Sequence, residues 1–262
     1  MNTPVQVPPY PTGKNLLAGK RVLVTAAAGT GIGFATARRC LEEGAHVFVS
    51  DLHERRLAEA VERLRAIEPD KVEGKLCDVT REPDVRALIA AATVAMGRVD
   101  VLVNNAGLGG SVAVTEMTDE QWAKVLDVSL TSVFRMTRAI LPHMYANGAG
   151  AIINNASVLG WRAQALQAHY AAAKAGVMAF TRCSAIEAAE HGVRINAVAP
   201  SIAMHAFLNR VTSDELLTEL KRREAFGRTA EVWEIANVIV FLASDLASYM
   251  TGEIVSVSSQ RA

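Results

Sequence analysis

The sequence is poor in the residues that would staple a chain covalently or carry it into a membrane. It has three cysteines in 262 residues, and Cys40, Cys77 and Cys183 lie far apart with no C-x-x-C pair. That excludes a disulfide scaffold and a zinc ribbon, and it points to a reducing compartment. No stretch approaches the roughly 18 uncharged apolar residues of a membrane helix, so no membrane partner is expected. Charge of one sign is not in surplus either, since 27 Lys plus Arg face 27 Asp plus Glu. A protein that coats nucleic acid usually carries a basic excess, so no nucleic-acid partner is expected. The six histidines do not cluster with acidic residues, and no metal is expected. The first 14 residues hold four prolines and no apolar run. They suit neither a helix nor a secretion signal, so residues 1–19 read as an N-terminal arm and the cytoplasm is the expected location.

What is present is a hydrophobic half arranged in alternating blocks. Short β-prone apolar runs occur at 21–25, 45–50, 71–79, 100–107, 150–157, 193–200 and 252–258. Helical periodicity lies between them, at 32–43, 54–67, about 82–96, 119–145, 167–191 and 230–243, with a shorter stretch at 214–223. Pro142 is expected to bend or end the helix at 119–145. Strand and helix alternating with short joints is the pattern of a parallel sheet covered on both faces. The expected fold is α/β: one Rossmann-type domain over 20–262 with a seven-stranded parallel sheet. Its functional edge is expected where the C-terminal ends of the strands meet the loops.

Two constellations fall on that edge. The segment TAAAGTGIG, from Thr25 through Ala28, Gly29, Thr30, Gly31 and Ile32 to Gly33, follows the first strand and opens a helix. Its glycines allow a tight turn that brings backbone N–H groups against a pyrophosphate. Asp51, at the tip of the second strand, can accept both ribose hydroxyls of an adenosine and would repel a 2′-phosphate. NAD is therefore the expected cofactor ahead of NADP. Arg55 and Arg56 follow on the next helix, where they can simply face solvent. Asp78, beside Val79, either meets the adenine amino group or serves as a helix-start carboxylate.

The second constellation is Ser157, after the fifth strand, with Tyr170 and Lys174 one helical turn apart on one face. A phenol titrates near pH 10 and is a poor base at neutrality. An adjacent ammonium is expected to favour its phenolate. Tyr170 would then exchange a proton with a carbonyl or alcohol oxygen that Ser157 also holds. His169 is expected to shape the start of the helix.

These motifs, with CDV (77–79), NNAG (104–107), YAAAK (170–174) and NAVAP (196–200), resemble the short-chain dehydrogenase/reductase family over almost the whole chain. The resemblance implies that Asn104, Asn105, Ala106 and Gly107 stabilise the sheet and border the cofactor. It implies that Pro200 and Ile202 lie beside the nicotinamide and that about 201–227 forms a substrate lid. It also implies a homo-oligomer, dimer or tetramer, through the helices at about 119–145 and 167–190. Three departures stand out. The first family glycine is Ala26, with one extra residue before Gly31, and alanine suits such a turn only at negative φ. Ser129 stands where the family has an asparagine that relays protons toward the lysine. The C-terminus reads SVSSQRA in place of an acidic residue and two glycines.

Leu159, Trp161 and Leu166 offer apolar surface near the site, and Met204, Phe207 and Leu208 are expected to roof it. Trp161 is alternatively an interface or core anchor. Lys221, Arg222 and Arg223 either meet thioester-carrier phosphates or form a solvated face. The expected activity is NAD-linked hydride transfer on a secondary alcohol or ketone, a steroid-derived ring compound or its coenzyme A thioester. The wording around Tyr170 and at the C-terminus is similar to actinobacterial members linked to steroid-ring breakdown. A 3-oxoacyl thioester reductase and a non-catalytic dinucleotide sensor are the alternatives.

Overall fold

The apolar runs form strands because alternate residues must be buried on opposite faces of one sheet. In β1 (Arg21–Val24), Val22 and Val24 join one core layer and Leu23 the other. The same division separates Val47 and Val49 from Phe48 in β2 (His46–Asp51). It separates Val101 and Val103 from Leu102 in β4 (Val101–Asn104). Burial of one such side chain is worth roughly 1.5–3 kcal/mol, so strands apolar on both faces require helices on both.

A computed structural model describes residues 5–204 and 214–260. With β3 (Val72–Leu76), β5 (Gly150–Asn155), β6 (Val193–Pro200) and β9 (Ile254–Val257), the main sheet runs β3-β2-β1-β4-β5-β6-β9. All six pairings are parallel. One layer packs beneath α1 (Ile32–Glu42), α2 (Glu54–Arg65) and α8 (Val232–Ala243). The other packs beneath α3 (Glu82–Met96), α5 (Ser132–Asn147) and α6 (Ala168–Ala189). Chain order reverses between β1 and β4, and the crevice above that switch point is where such sheets bind ligands.

The arm is tied down. Tyr10 packs edge-on against Trp233 and donates to Glu42, and the Glu43 carboxylate accepts the N–H groups of Lys14 and Leu16. The continuous helix expected at 119–145 is instead α4 (Asp119–Leu126), a π-helical turn at Asp127–Thr131, and then α5. A π turn inserts one residue without ending the helix axis, so apolar periodicity does not reveal it. Pro142 lies inside α5, which continues to Asn147. The proline lies on the exposed side of the helix, as does Arg138 one turn before it. Beyond β6, β7 (Ala203–Met204) pairs with β8 (Ala230–Glu231), bracketing α7 (Asp214–Arg223). Phe207 and Leu208 lie outside the described residues. No helix among the described residues is long and apolar enough to cross a membrane.

Candidate active site

The glycine turn sits at the C-terminal end of β1, above the switch point. Thr25 is buried, and its hydroxyl accepts the N–H groups of Asn105 and Ala106 while donating to Val103 O. The expectation of negative φ at Ala26 fails, because φ there is +50°. The left-handed conformation is held from both sides. Asn105 Nδ2 donates to Ala26 O at 3.0 Å, and Ala27 N donates to Ser50 O at 2.9 Å. Gly29, at φ +89°, supplies the second bend. Gly33 is required by packing, since a Cβ there would lie 2.4 Å from both Ala26 O and Asn105 Nδ2. Gly31 opens α1 without a side-chain cap, and a Cβ built on it meets nothing within 4 Å. Thr30 is exposed beside it, while Ile32 is partly buried against the core. The first-turn N–H groups of α1 therefore face an open cradle that suits a pyrophosphate.

Asp51 reaches that cradle from the tip of β2. It accepts from Ala28 N at 3.3 Å and His53 N at 3.0 Å, with Arg56 Nη2 at 3.8 Å. Burial raises its pKa above the ordinary carboxylate value, and the Ala28 N–H, the Arg56 charge and the Leu52 N–H oppose the rise. Arg63, unremarked in the sequence reading, crosses from α2 to donate to Gly29 O at 3.1 Å and stacks over Phe34. It latches the loop where the extra residue falls. Asp78 Oδ1 takes the Thr80 N–H and hydroxyl at 2.9 and 2.6 Å, the geometry of a helix-start carboxylate. Val79 is buried in the core with Ala106. Pro200 ends β6 opposite Val257, and Ile202 O accepts from Ala230 N.

The structure brings Ser157, Tyr170 and Lys174 together at the neighbouring ends of β5 and α6. Ser157 follows the last β5 residue by two positions, and its Oγ accepts from Leu159 N at 3.2 Å. Lys174 is 3% exposed; its Nζ donates to Asn155 O at 2.6 Å and lies 5.6 Å from the Tyr170 ring centroid. Burial lowers the Lys174 pKa from its ordinary 10.5 to about 8. Burial also raises the pKa of Tyr170, partly offset by a hydrogen bond with Ser157. Burial dominates at the phenol, and the expected lowering by the ammonium does not appear in this structure.

Asn155 was missed in the sequence. Its side chain donates to Asn105 Oδ1 at 3.0 Å, and Asn105 in turn donates to Thr25 O and Ala26 O. A hydrogen-bonded line therefore runs from the lysine through two asparagines to the glycine turn. Behind it Asn104 donates to Asn154, and Asn154 to Thr181. The signal was the Asn doublet repeated at 104–105 and 154–155, at adjacent strand ends.

Ser129 lies in the π turn, fully buried, accepting from Leu108 N at 2.9 Å and donating to Leu108 O at 2.8 Å. That clasp holds the segment beyond Gly107, whose Cα leaves only 3.4 Å between a built Cβ and Lys174 Nζ. Gly109 then rides over the Tyr170 ring and Gly110 over the buried His169. Trp161 is 51% exposed on the far rim, which removes the core-anchor reading. No group of three or more His, Cys, Asp or Glu placed to hold a metal occurs among the described residues.

The family model described as enoyl-(acyl carrier protein) reductase matches residues 26–259. The chain is a short-chain dehydrogenase/reductase. As such it is an oxidoreductase that acts on a small-molecule substrate with a nicotinamide dinucleotide. Among relatives of this dehydrogenase/reductase is the (5R,7aS)-5-hydroxy-7a-methyl-1-oxo-2,3,5,6,7,7a-hexahydro-1H-indene-carboxyl-CoA reductase of Mycobacterium tuberculosis. It is 65% identical over 95% of each chain. The 3-oxoacyl-[acyl-carrier-protein] reductase FabG of Thermotoga maritima is 36% identical over 92% of this chain and 97% of its own. A short chain dehydrogenase from Mycobacterium smegmatis superposes with TM-score 0.88 at 58% identity, covering 98% of this chain and 99% of the other. An actinorhodin polyketide ketoreductase with NADPH superposes with TM-score 0.87 at 34% identity, covering 92% and 96%.

Proposed function

We propose that this dehydrogenase/reductase interconverts a ring ketone and a secondary alcohol on a fused-ring coenzyme A thioester, using NAD(H). The carrying observation is the buried Lys174 held on Asn155 O beneath Tyr170, with Ser157 near enough to the phenol to oppose the rise in its pKa. The bound nicotinamide would supply or accept the hydride at the carbonyl carbon. The open cradle at Gly31 would hold the pyrophosphate, and the Asp51 carboxylate would accept the ribose hydroxyls of such a cofactor.

In the reducing direction Tyr170 gives its phenolic proton to the substrate oxygen as the carbon–oxygen double bond becomes single. In the oxidising direction it takes that proton back. Ser157 donates to the same oxygen and fixes its place. Lys174, still an ammonium at neutral pH, lowers the cost of the transient phenolate. Ser129 serves the site through Leu108, as a clasp on the loop that covers Tyr170 and not as a proton carrier. Similarity to the indene-carboxyl-CoA reductase supports the substrate class. The exposed Lys221 and Arg222, on a helix bracketing the cleft, suit thioester-carrier phosphates. Asp51 supports NAD, since a carboxylate at the tip of β2 would repel a 2′-phosphate.

The test is Tyr170→Phe, followed at 340 nm with fused-ring keto thioesters and NADH. The variant should lose about 10²–10⁴-fold in turnover with little change in NADH affinity. Wild-type turnover in the variant would refute the proton-transfer role.

A further inference from the structure

We infer that Asn155 is a positioning residue that joins the two halves of the cofactor site, transmitting the shape of the glycine turn to the ammonium of Lys174. On the functional reading above, the pyrophosphate is seated at that turn and Lys174 serves Tyr170, and the link through Asn155 rests on both. At its main chain, Asn155 O accepts from Lys174 Nζ at 2.6 Å. At its side chain, Asn155 Nδ2 donates to Asn105 Oδ1 at 3.0 Å. The rungs between β4 and β5 end at Asn104 with Asn154, while those between β5 and β6 continue to Asn155 with Val198. Asn155 is therefore held to β6 by the ladder, whereas among the described residues its hydrogen bond toward β4 comes from the carboxamide.

The sense of that bond is fixed. Asn105 Nδ2 donates to two carbonyls, Thr25 O at 3.1 Å and Ala26 O at 3.0 Å. Its Oδ1 must then face Asn155, which can answer only with Nδ2. Asn155 Oδ1 is left buried without a partner among the described residues. An orphaned acceptor is costly, and a leucine would fill a similar volume without one. The carboxamide is kept at that cost where a donor is needed to hold Asn105.

The two ends of the line are packed too closely to move independently. A Cβ on Gly33 would lie 2.4 Å from both Asn105 Nδ2 and Ala26 O, so the carboxamide is wedged against the turn. Ala26 is the residue at φ +50°. A shift of the turn on seating a pyrophosphate therefore displaces Asn105. Asn105 N and Ala106 N both donate to Thr25 Oγ1, at 3.0 and 3.2 Å, and a Cβ on Gly107 would lie 3.4 Å from Lys174 Nζ. The segment from Asn105 to Gly107 thus touches the turn at one end and flanks the ammonium at the other. A second line runs beside the first and ends on the body of α6. In it Asn104 Nδ2 donates to Asn154 Oδ1 at 2.9 Å, and Asn154 Nδ2 to Thr181 Oγ1 at 2.9 Å. Among the described residues that line has no bond to the turn or to the lysine, so it holds helix to sheet without transmitting between them.

The experiment measures ADP affinity by calorimetry for the wild-type protein, Asn155→Leu, Lys174→Met and their double variant. ADP carries the adenosine and pyrophosphate of the cofactor and lacks its nicotinamide half. Each single variant should raise the Kd of ADP about threefold, because each breaks the line that preshapes the turn. The double variant should also stay near about threefold, since both changes cut one line. A rise of about ninefold would mean that the ammonium acts on the phosphates through space, and it overturns the link. An unchanged Kd in Asn155→Leu overturns it too, and Asn155→Ser repeats the comparison should the leucine not fold. Asn154→Ser should lower Tm yet leave the Kd of ADP within about twofold. A rise equal to that of Asn155→Leu would be general loosening and would also overturn the link. With acetoacetyl-CoA and saturating NADH, Asn155→Leu should lower kcat about tenfold and leave the thioester KM within about twofold, and an unchanged kcat overturns the positioning role. Wild-type protein that does not bind ADP refutes the dinucleotide reading and the link together, whereas ADP binding with additive variants refutes the link alone.

Discussion

Replacing Lys174 by methionine should destroy activity and make the protein more stable at pH 7. The ammonium is 3% exposed, and among the described residues its hydrogen-bond acceptor is the Asn155 carbonyl. A lysine whose pKa falls from 10.5 to about 8 has lost about 3 kcal/mol of preference for its charged form on folding. The unfolded chain therefore binds that proton more tightly than the native one, and the penalty is fully present below pH 8. Methionine removes the penalty and loses about 1 kcal/mol of hydrogen bonding, leaving a gain of about 2 kcal/mol. For a chain of this size that is a rise in Tm of roughly 4–8 °C. As pH climbs from 8 toward 10.5 the wild-type lysine sheds its charge, and the two proteins should converge. Paired thermal melts at pH 7 and pH 9.5 measure both effects. A variant no more stable than wild type at pH 7, or a gap that does not narrow at pH 9.5, would show that the ammonium is not held at a desolvation cost.

Ala26→Gly should stabilise the fold by up to about 1 kcal/mol, since it relieves the +50° φ and costs some backbone entropy. A lower urea midpoint for that variant would mean the alanine methyl earns its place by packing. Gly33→Ala puts a Cβ 2.4 Å from two polar atoms and should cost about 1–3 kcal/mol while weakening dinucleotide binding. Titration of NADH by protein fluorescence should show it, and unchanged affinity would count against the cradle. Asp51→Ala should narrow the proposed preference for NADH over NADPH by about tenfold, worth one charge–charge contact. Equal affinities in the unmodified protein would remove the role assigned to that carboxylate.

Much of the fold was legible because burial on two faces leaves continuous apolar strands, and each was read within a few residues of its observed span. The weak readings share a cause. The π turn at Asp127–Thr131 shifts helical phase by one residue, and the two-residue strands Ala203–Met204 and Ala230–Glu231 are too short to show any period. At the site, Tyr170 and Lys174 were visible because helical spacing is local. The electrostatics were not, because whether the phenol rises or falls depends on how much solvent the surrounding chain removes. Arg63 was passed over as one charge on an exposed helix, since nothing in its neighbourhood names Gly29.

The sequence by itself determined which segments are strand and helix, that the phosphate loop departs from its family at Ala26, and which serine, tyrosine and lysine meet. Each of these follows from patterns a few residues long. Only the tertiary structure decided what those groups touch. Lys174 is held by a carbonyl 19 residues away, Asn105 meets Thr25 across 80, and Arg162 finds Gln260 across 98. The physical reason is that the lysine's partner is a main-chain oxygen. Every residue carries one, so no amino-acid letter can announce it, and its position is fixed only when parallel strands far apart in the chain end side by side.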